Sequence, residues 1–292
     1  MNLKRVKQNQ YLAVAVDGLD GSGKGSCVNV MADVISKAGY SVVISDYPNY
    51  QLPWGKFLDH LLHVDDEQLE IKDKMLVYAL NRLETVPTLQ RIKRSIIDQK
   101  GSVVMIFDRF VTSNILTLSY YILYRQSSLE LNKELEKYLP FMWEIDENFV
   151  KKLSLQNTKV IVPILDPKET IRRINTDKER KGADFYETSD VQGLARTLYL
   201  KASEIDDRIQ TFSQFDETEQ RYLTVEENAA RAIELFWPEV LRDRYKGLRS
   251  NVLESGGIQR ITVKEDEIDK QLLDSLLDRY GSRKLKDFDP YI

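Results

Sequence analysis

Cysteine occurs once in this 292-residue chain, at Cys27, and histidine twice, at His60 and His63. A single thiol excludes an internal disulfide framework and any cysteine-based zinc site. Two histidines three apart on a helical stretch read as an ordinary helix pair rather than a metal centre. Long apolar runs are also missing: none approaches the roughly 20 residues of a membrane-spanning helix. Residues 1–10 are basic but lack the apolar core of a signal peptide, so no secretory leader is expected. Nor is there a dominant sign of charge. The 42 basic and 46 acidic residues leave −4, which gives no support for a surface that binds nucleic acid throughout. Internal repeats and low-complexity segments are absent. What remains is 42% apolar residues, enough for a sizeable core in one large domain or two. The expectation is a cytoplasmic enzyme.

The chain is organised around Tyr11 to Ile35. Leu12 to Val16 is a short apolar run, followed by Gly18-Leu-Asp-Gly-Ser-Gly-Lys24. Val28, Met31, Ala32 and Ile35 then recur at helical spacing. Strand, glycine-rich turn and helix fit the G-x-x-x-x-G-K phosphate-binding loop. In such a loop the backbone curls so that successive N–H groups point inward. The new helix adds roughly half a positive charge at its start. A nucleoside triphosphate, ATP, is therefore expected against Gly18, Gly21, Ser22, Gly23, Lys24, Gly25 and Ser26, with Lys24 on the outer phosphates. Gly25 stands where Ser or Thr normally follows the lysine, and the hydroxyl comes one residue later, at Ser26. That GKG-S ending resembles the loop of adenylate-kinase-like enzymes, with Ser26 reaching a phosphate or a magnesium-bound water.

Further along, Ser41 to Ser45 reads as a second strand. Pro48 and Pro53 mark the stretch from Asp46 as a loop. Helices are predicted at Gly55–Leu62, Glu67–Leu83 and Thr88–Gln99. Val103 to Phe107 is a strand ending in Asp108-Arg109-Phe110, and helix follows from Thr112 to about Leu139. Thr158 to Leu165 is a strand whose Pro163 predicts an edge position or a bulge. Another helix begins near Pro167, and a charged stretch from Thr176 to Gly182 interrupts it. Val191 to Ile209 reads as helix, Arg221 to Val225 as the last strand, and Glu226 to Leu241 as helix. This alternation predicts an α/β fold with a mainly parallel five-stranded sheet and helices on both faces. The P-loop, Asp46, Asp108-Arg109 and the region after Leu165 then share the carboxyl edge of the sheet, where ligands bind. Residues 1–245 read as one domain. Residues 246–292, with an acidic amphipathic helix at Glu265–Asp278, read as an extension of unassigned role.

Taken together, these motifs resemble the thymidylate kinase family of P-loop nucleoside monophosphate kinases. The likeness spans roughly residues 10 to 240. It rests on GLDGSGK, on Pro48 followed by Gly55-Lys-Phe-Leu58, and on Tyr78-Ala-Leu-Asn-Arg-Leu-Glu84. It continues through Asp108-Arg-Phe110 with Ser113, Leu165-Asp-Pro167 with Arg173-Ile174, and Asp184-Phe-Tyr-Glu187 at the end of a helical lid. The resemblance implies that Asp20 contacts the acceptor sugar, Tyr78 stacks on its base, Arg82 and Arg109 hold its phosphate, and Ser113 lines the base pocket. It implies that Asp108 organises magnesium, with Ser26 as a further metal contact through water. Arg173, with Arg180 or Lys178, is implied to close over the transferring group. Those cations, with Arg172 and Lys181, form one basic run. Such charge is what phosphoryl transfer needs as negative charge spreads in the transition state. Family members are often dimers, so a homodimer is implied as well.

This chain departs from the family pattern on the acceptor side. Asn49 and Tyr50 stand where an arginine often follows the proline, which places Tyr50 at the acceptor. Leu118 stands at the expected base-reading position, and Phe185 replaces the lid's D-R-x-E arginine. Three readings follow. The first is a kinase that transfers phosphate from ATP to a dTMP-like monophosphate. The second is a related kinase acting on a nucleoside or a hydroxymethylated base in DNA, and the third is a non-enzymatic nucleotide switch. Retention of Lys24, Asp108 and the arginines favours an enzyme.

Overall fold

The computed structural model describes residues 11–63, 69–125, 130–176, 186–237, 257–261, 263–288 and 290. Its frame is a parallel sheet. Strands β1 (Tyr11–Val16), β2 (Ser41–Asp46), β3 (Val103–Asp108), β4 (Lys159–Ile164), β5 (Ile209–Ser213) and β8 (Ile258–Arg260) pair in the order β5-β4-β1-β3-β2-β8. A separate two-stranded antiparallel ribbon joins β6 (Phe215–Asp216) to β7 (Arg221–Tyr222). Every central strand is buried on both faces, so its sequence is continuously apolar rather than alternating.

The two faces still sort by parity. Val14, Val16, Val42, Ile44, Val104 and Ile106 pack with α1 (Lys24–Lys37) and α10 (Val225–Phe236). Ala15, Val43, Met105, Phe107, Val160 and Val162 face the larger layer. That layer holds α3 (Ile71–Glu84), α4 (Val86–Asp98), α5 (Asn114–Arg125), α6 (Leu131–Ile145), α7 (Glu147–Leu153) and α9 (Ser189–Ile205). The shorter α2 (Pro53–His63) packs on α3, and α8 (Pro167–Thr176) on α9.

Three expectations are corrected. The fifth strand is Ile209–Ser213, not Arg221–Val225; the preceding helix stops at Ile205, short of the Ile209 expected from its apolar pattern. Pro163 lies on an interior strand, between β5 and β1. It costs no ladder bond there. The Val160 N–H points to β5, bonding Arg208 O at 2.8 Å, so the odd-numbered nitrogens of β4 face β1. Yet β1 makes its last bond to β4 at Asp17, 2.9 Å from Ile161 O, before the chain turns away. The sheet, expected to have five strands, also has a sixth, supplied by the C-terminal extension.

That C-terminal region packs closely. β8 pairs in parallel with β2. Helix α11 (Lys270–Tyr280) lies on α3 and buries Leu273 and Leu276, while α12 (Arg283–Lys286) buries Leu285. The Phe288 ring stacks on Phe57 with centroids 3.8 Å apart. Cys27 is buried in α1. No described helix is long and apolar enough to cross a membrane.

Candidate active site

β1, β3 and β2 end level with one another, which brings Asp17, Asp108 and Asp46 to a common edge. From β1 the chain enters the glycine-rich turn with Gly18, Gly21 and Gly23 at φ values of 121°, 71° and 77°. These left-handed angles carry little penalty only for glycine. At Gly21 space matters as well. A Cβ there would lie 2.9 Å from Thr170 O and 3.6 Å from the Arg173 Cβ. Helix α8 is therefore pressed against the loop, and Arg173 starts beside it.

Lys24, buried on the first turn of α1, donates to Leu19 O at 2.5 Å and lies 3.8 Å from Asp20 Oδ1. Burial, helped by the nearby Arg109 charge, lowers its ammonium to about 8, although Asp20, Asp108 and Asp17 oppose the shift. Arg109 sits at φ 69°, with its N–H bonded to Val16 O at 2.9 Å. Its guanidinium closes on Asp20 Oδ1. Burial alone would lower its pKa, but the carboxylates of Asp20, Asp17 and Asp108 more than reverse that.

Asp108 faces Gly25, where an added Cβ would stand 3.2 Å from Oδ2. The absent Ser or Thr side chain thus leaves room for the carboxylate. Ser26, the expected metal contact, is exposed on α1, and it is Gly25 that abuts Asp108. Burial raises the Asp108 pKa, against the opposing pull of Lys24 and Arg109. Hard oxygen donors of this kind suit magnesium, and a dication beside Asp108 would relieve the buried charge.

Next to Asp20 a cleft is lined by Tyr47, Tyr50, Tyr78, Tyr186, Arg109 and Thr117, among others. The expected acceptor residues Asp20, Tyr50, Tyr78, Arg82, Arg109 and Ser113 all border it. Arg82 is used differently from the expectation. Its Nε donates to Asp146 Oδ1 at 2.8 Å, its Nη2 to Oδ2 at 2.6 Å, and its Nη1 to Phe110 O at 3.3 Å. At 1% exposure it is a buried ion pair that fixes the wall. Asn81 clamps the loop after β2, accepting from Asn49 N at 2.8 Å and donating to Asn49 O at 3.1 Å. Glu84 accepts from Trp54 N at 3.2 Å at the start of α2. The N-R-x-E motif therefore builds the wall that Tyr78 lines.

Leu118 is fully buried core and does not border the cleft; Thr117 does. Asn114, one turn earlier and 1% exposed, has no hydrogen-bond partner for either amide atom among the described residues. Lys178, Arg180, Lys181, Asp184 and Phe185 lie outside the described residues. Arg173 is described and stands at the P-loop, bonded through Nε to Glu169 Oε1 at 2.8 Å.

Some supporting residues were missed from sequence. Asp17, fully buried, accepts from Gly18 N, Ser113 Oγ and Tyr199 Oη on Oδ1 and from Thr112 Oγ1 on Oδ2, at 2.6–3.0 Å. It ties the P-loop to the turn after Arg109. Gln192 accepts from Asp20 N at 3.0 Å, and its Nε2 donates to Asp20 Oδ2 at 3.1 Å and Tyr186 O at 2.8 Å. Its signal was a polar residue in the apolar stripe Val191, Ala195, Leu198, Tyr199.

Comparison with known proteins gives a consistent result. The family model described as thymidylate kinase matches residues 16–222. A probable thymidylate kinase from Thermococcus onnurineus is 27% identical over 198 residues, covering 65% of this chain and 83% of that protein. Another from Thermococcus kodakarensis is 26% identical over 213 residues, covering 70% and 91%. The solved structure of thymidylate kinase from Candida albicans superposes with a TM-score of 0.51 at 16% identity, covering 80% of this chain and 93% of that one.

Proposed function

The chain belongs to the thymidylate kinase family and is a nucleotide kinase, and on that premise we propose that it transfers the γ-phosphoryl group of ATP to a dTMP-like deoxynucleoside monophosphate. One juxtaposition carries this reading. The carboxylate of Asp20 is shared by Arg109, which borders the aromatic cleft, and Lys24, which stands in the phosphate loop. A donor anion and an acceptor anion would thus be gathered within a few ångströms of one another, as in-line transfer requires.

The donor's phosphates lie along the loop from Gly18 to Ser26 and the start of α1, and Lys24 exchanges Leu19 O for them. The acceptor base enters between Tyr78 and the other tyrosines, with Ser113 and Thr117 as hydroxyl partners on the cleft wall. Arg109 takes its phosphate, and Asp20, held by Gln192, faces its sugar. Asp108, with Gly25 leaving room beside its carboxylate, would hold magnesium, which would supply counter-charge to the donor phosphates. Arg173, based at Gly21, supplies the cation for charge that develops on the transferring group. An arginine in such a role contributes about 10³ to 10⁵ in rate.

The test is an acceptor panel with labelled ATP: deoxynucleoside monophosphates, free nucleosides, and DNA carrying hydroxymethylated bases. Labelling of dTMP or a close analogue is expected. Label on nucleosides or DNA with the monophosphates inert would replace this reading with a rebuilt acceptor site.

A further inference from the structure

Two arginines leave helix α8 side by side, and they are held in different ways. Arg172 gives Nε and Nη2 to Glu169, at 2.6 and 2.7 Å, so its bonding edge is consumed. Arg173 gives Glu169 only its Nε, at 2.8 Å. Its guanidinium carbon lies over the Tyr222 ring, with Cζ 5.4 Å from the centroid. Among the described residues, nothing hydrogen-bonds its two Nη groups. Arg172 is 63% exposed and Arg173 27% exposed. Only Arg173 has its Cβ near the P-loop, at Gly21.

Both supports are themselves fixed. Glu169 is on the first turn of α8, where the helix dipole favours a carboxylate, and its side chain is only 10% exposed. Hydrogen bonding from Arg172 is the main cause that lowers its pKa to about 2, so it stays ionised. Tyr222 is carried on the β6–β7 ribbon. Its neighbour Arg221 pins that ribbon with two 2.7 Å bonds to Glu227 of α10. Glu227 also completes a capping box with Thr224. Phe215 packs edge-on against Tyr222 at 5.3 Å.

We propose that Glu169 and Tyr222 are positioning residues that orient the Arg173 guanidinium toward the phosphate loop, and that Arg173 rather than Arg172 serves the transferring group. The proposal rests on the phosphoryl-transfer reading above. Glu169 holds the guanidinium at its Nε corner, and the Tyr222 ring supports its carbon from below. The Nη pair is left for phosphate oxygens, to which arginine bonds bidentately. A side chain that arrives pre-aimed loses less rotamer freedom when the phosphates bind.

The experiment is a mutant cycle with kcat, both KM values and thermal midpoints measured together. Glu169→Gln is expected to lower kcat about tenfold, while ATP and acceptor KM change by less than about threefold. In an Arg173→Ala background the same change is expected to do almost nothing further, because there is no guanidinium left to aim. Tyr222→Phe is expected to keep kcat within about twofold and Tyr222→Leu to lower it about fivefold. Arg172→Ala is expected to cost far less than Arg173→Ala. Equal losses from Glu169→Gln in the presence and absence of Arg173 would overturn the proposal. So would an Arg172→Ala loss matching that of Arg173→Ala, or Tyr222→Leu with unchanged kcat. A wild-type protein inert toward the whole acceptor panel would instead sink the phosphoryl-transfer reading.

Discussion

The pair Arg82–Asp146 gives the sharpest stability test, because it is an ion pair with almost no contact with water. The side chains are 2% and 0% exposed. Two parallel bonds join them, at 2.8 and 2.6 Å, and a third reaches Phe110 O at 3.3 Å. Replacing such a pair by apolar residues is often near neutral, but removing one member strands a buried charge at about 3 to 5 kcal/mol. Asp146→Asn keeps the shape and removes the countercharge, so its cost belongs at the low end, about 3 kcal/mol. With a urea slope of about 3 kcal/mol per molar, the unfolding midpoint should fall by about 1 M. Arg82→Met should cost a similar amount. The double variant Arg82→Met with Asp146→Leu should cost less than either single change, which a two-state denaturation series reads directly. Single costs below about 1 kcal/mol, the range of exposed pairs, would refute the reasoning. So would simple addition in the double variant.

Other outcomes follow from the same physical picture. Lys24 has a folded pKa lowered to about 8. Above that the folded chain sheds a proton that the unfolded chain still holds, so this group makes stability rise with pH until the unfolded lysine titrates near 10.4. ATP affinity should move the other way, falling above about pH 8 as the ammonium is lost, and Lys24→Arg should shift that fall to higher pH; a flat profile to pH 9.5 would contradict it. Gly21→Ala places a Cβ 2.9 Å from Thr170 O at φ 71°, so kcat should drop by at least about tenfold as α8 is displaced, and native kcat would contradict the packing. Leu273→Ala, at 1% exposure in α11, should cost about 2 to 4 kcal/mol by denaturation. A loss under about 0.5 kcal/mol would mean that the C-terminal helix is not part of the core.

Much of the fold was legible because parallel strands buried on both faces leave short apolar runs, as at Leu12–Val16 and Val103–Phe107. The P-loop was legible because its glycines are spaced by backbone geometry. Ile209–Ser213 was not. Its edge position leaves Gln210 and Thr211 half-buried, and only Asp206–Arg208 separates it from α9, so no break in the pattern marks it. Pro163 misled because the side of the strand its nitrogen faces depends on where β1 leaves the sheet. In the site, motif letters placed Asp20, Tyr78 and Arg109 at the cleft but did not disclose their partners. Asp17, Asp146 and Glu169 act through contacts with residues near and far along the chain, and nothing in local periodicity announces those contacts; the sequence marks Gln192 only as a polar residue in an apolar stripe, with its partner unstated. The β8 strand is three residues long and exposed in pattern, too short a signal to read before β2 is seen to need a neighbour.

The most direct measurement is transfer of labelled γ-phosphate from ATP to dTMP in the presence of magnesium, run side by side for wild type and Lys24→Ala. The expected result is label in the nucleoside diphosphate with the wild type, and none with a Lys24→Ala protein whose circular dichroism and melting remain native-like. Undiminished transfer by the variant would contradict the role of the phosphate loop. Wild-type protein that binds ATP yet transfers to no monophosphate would contradict the acceptor assignment.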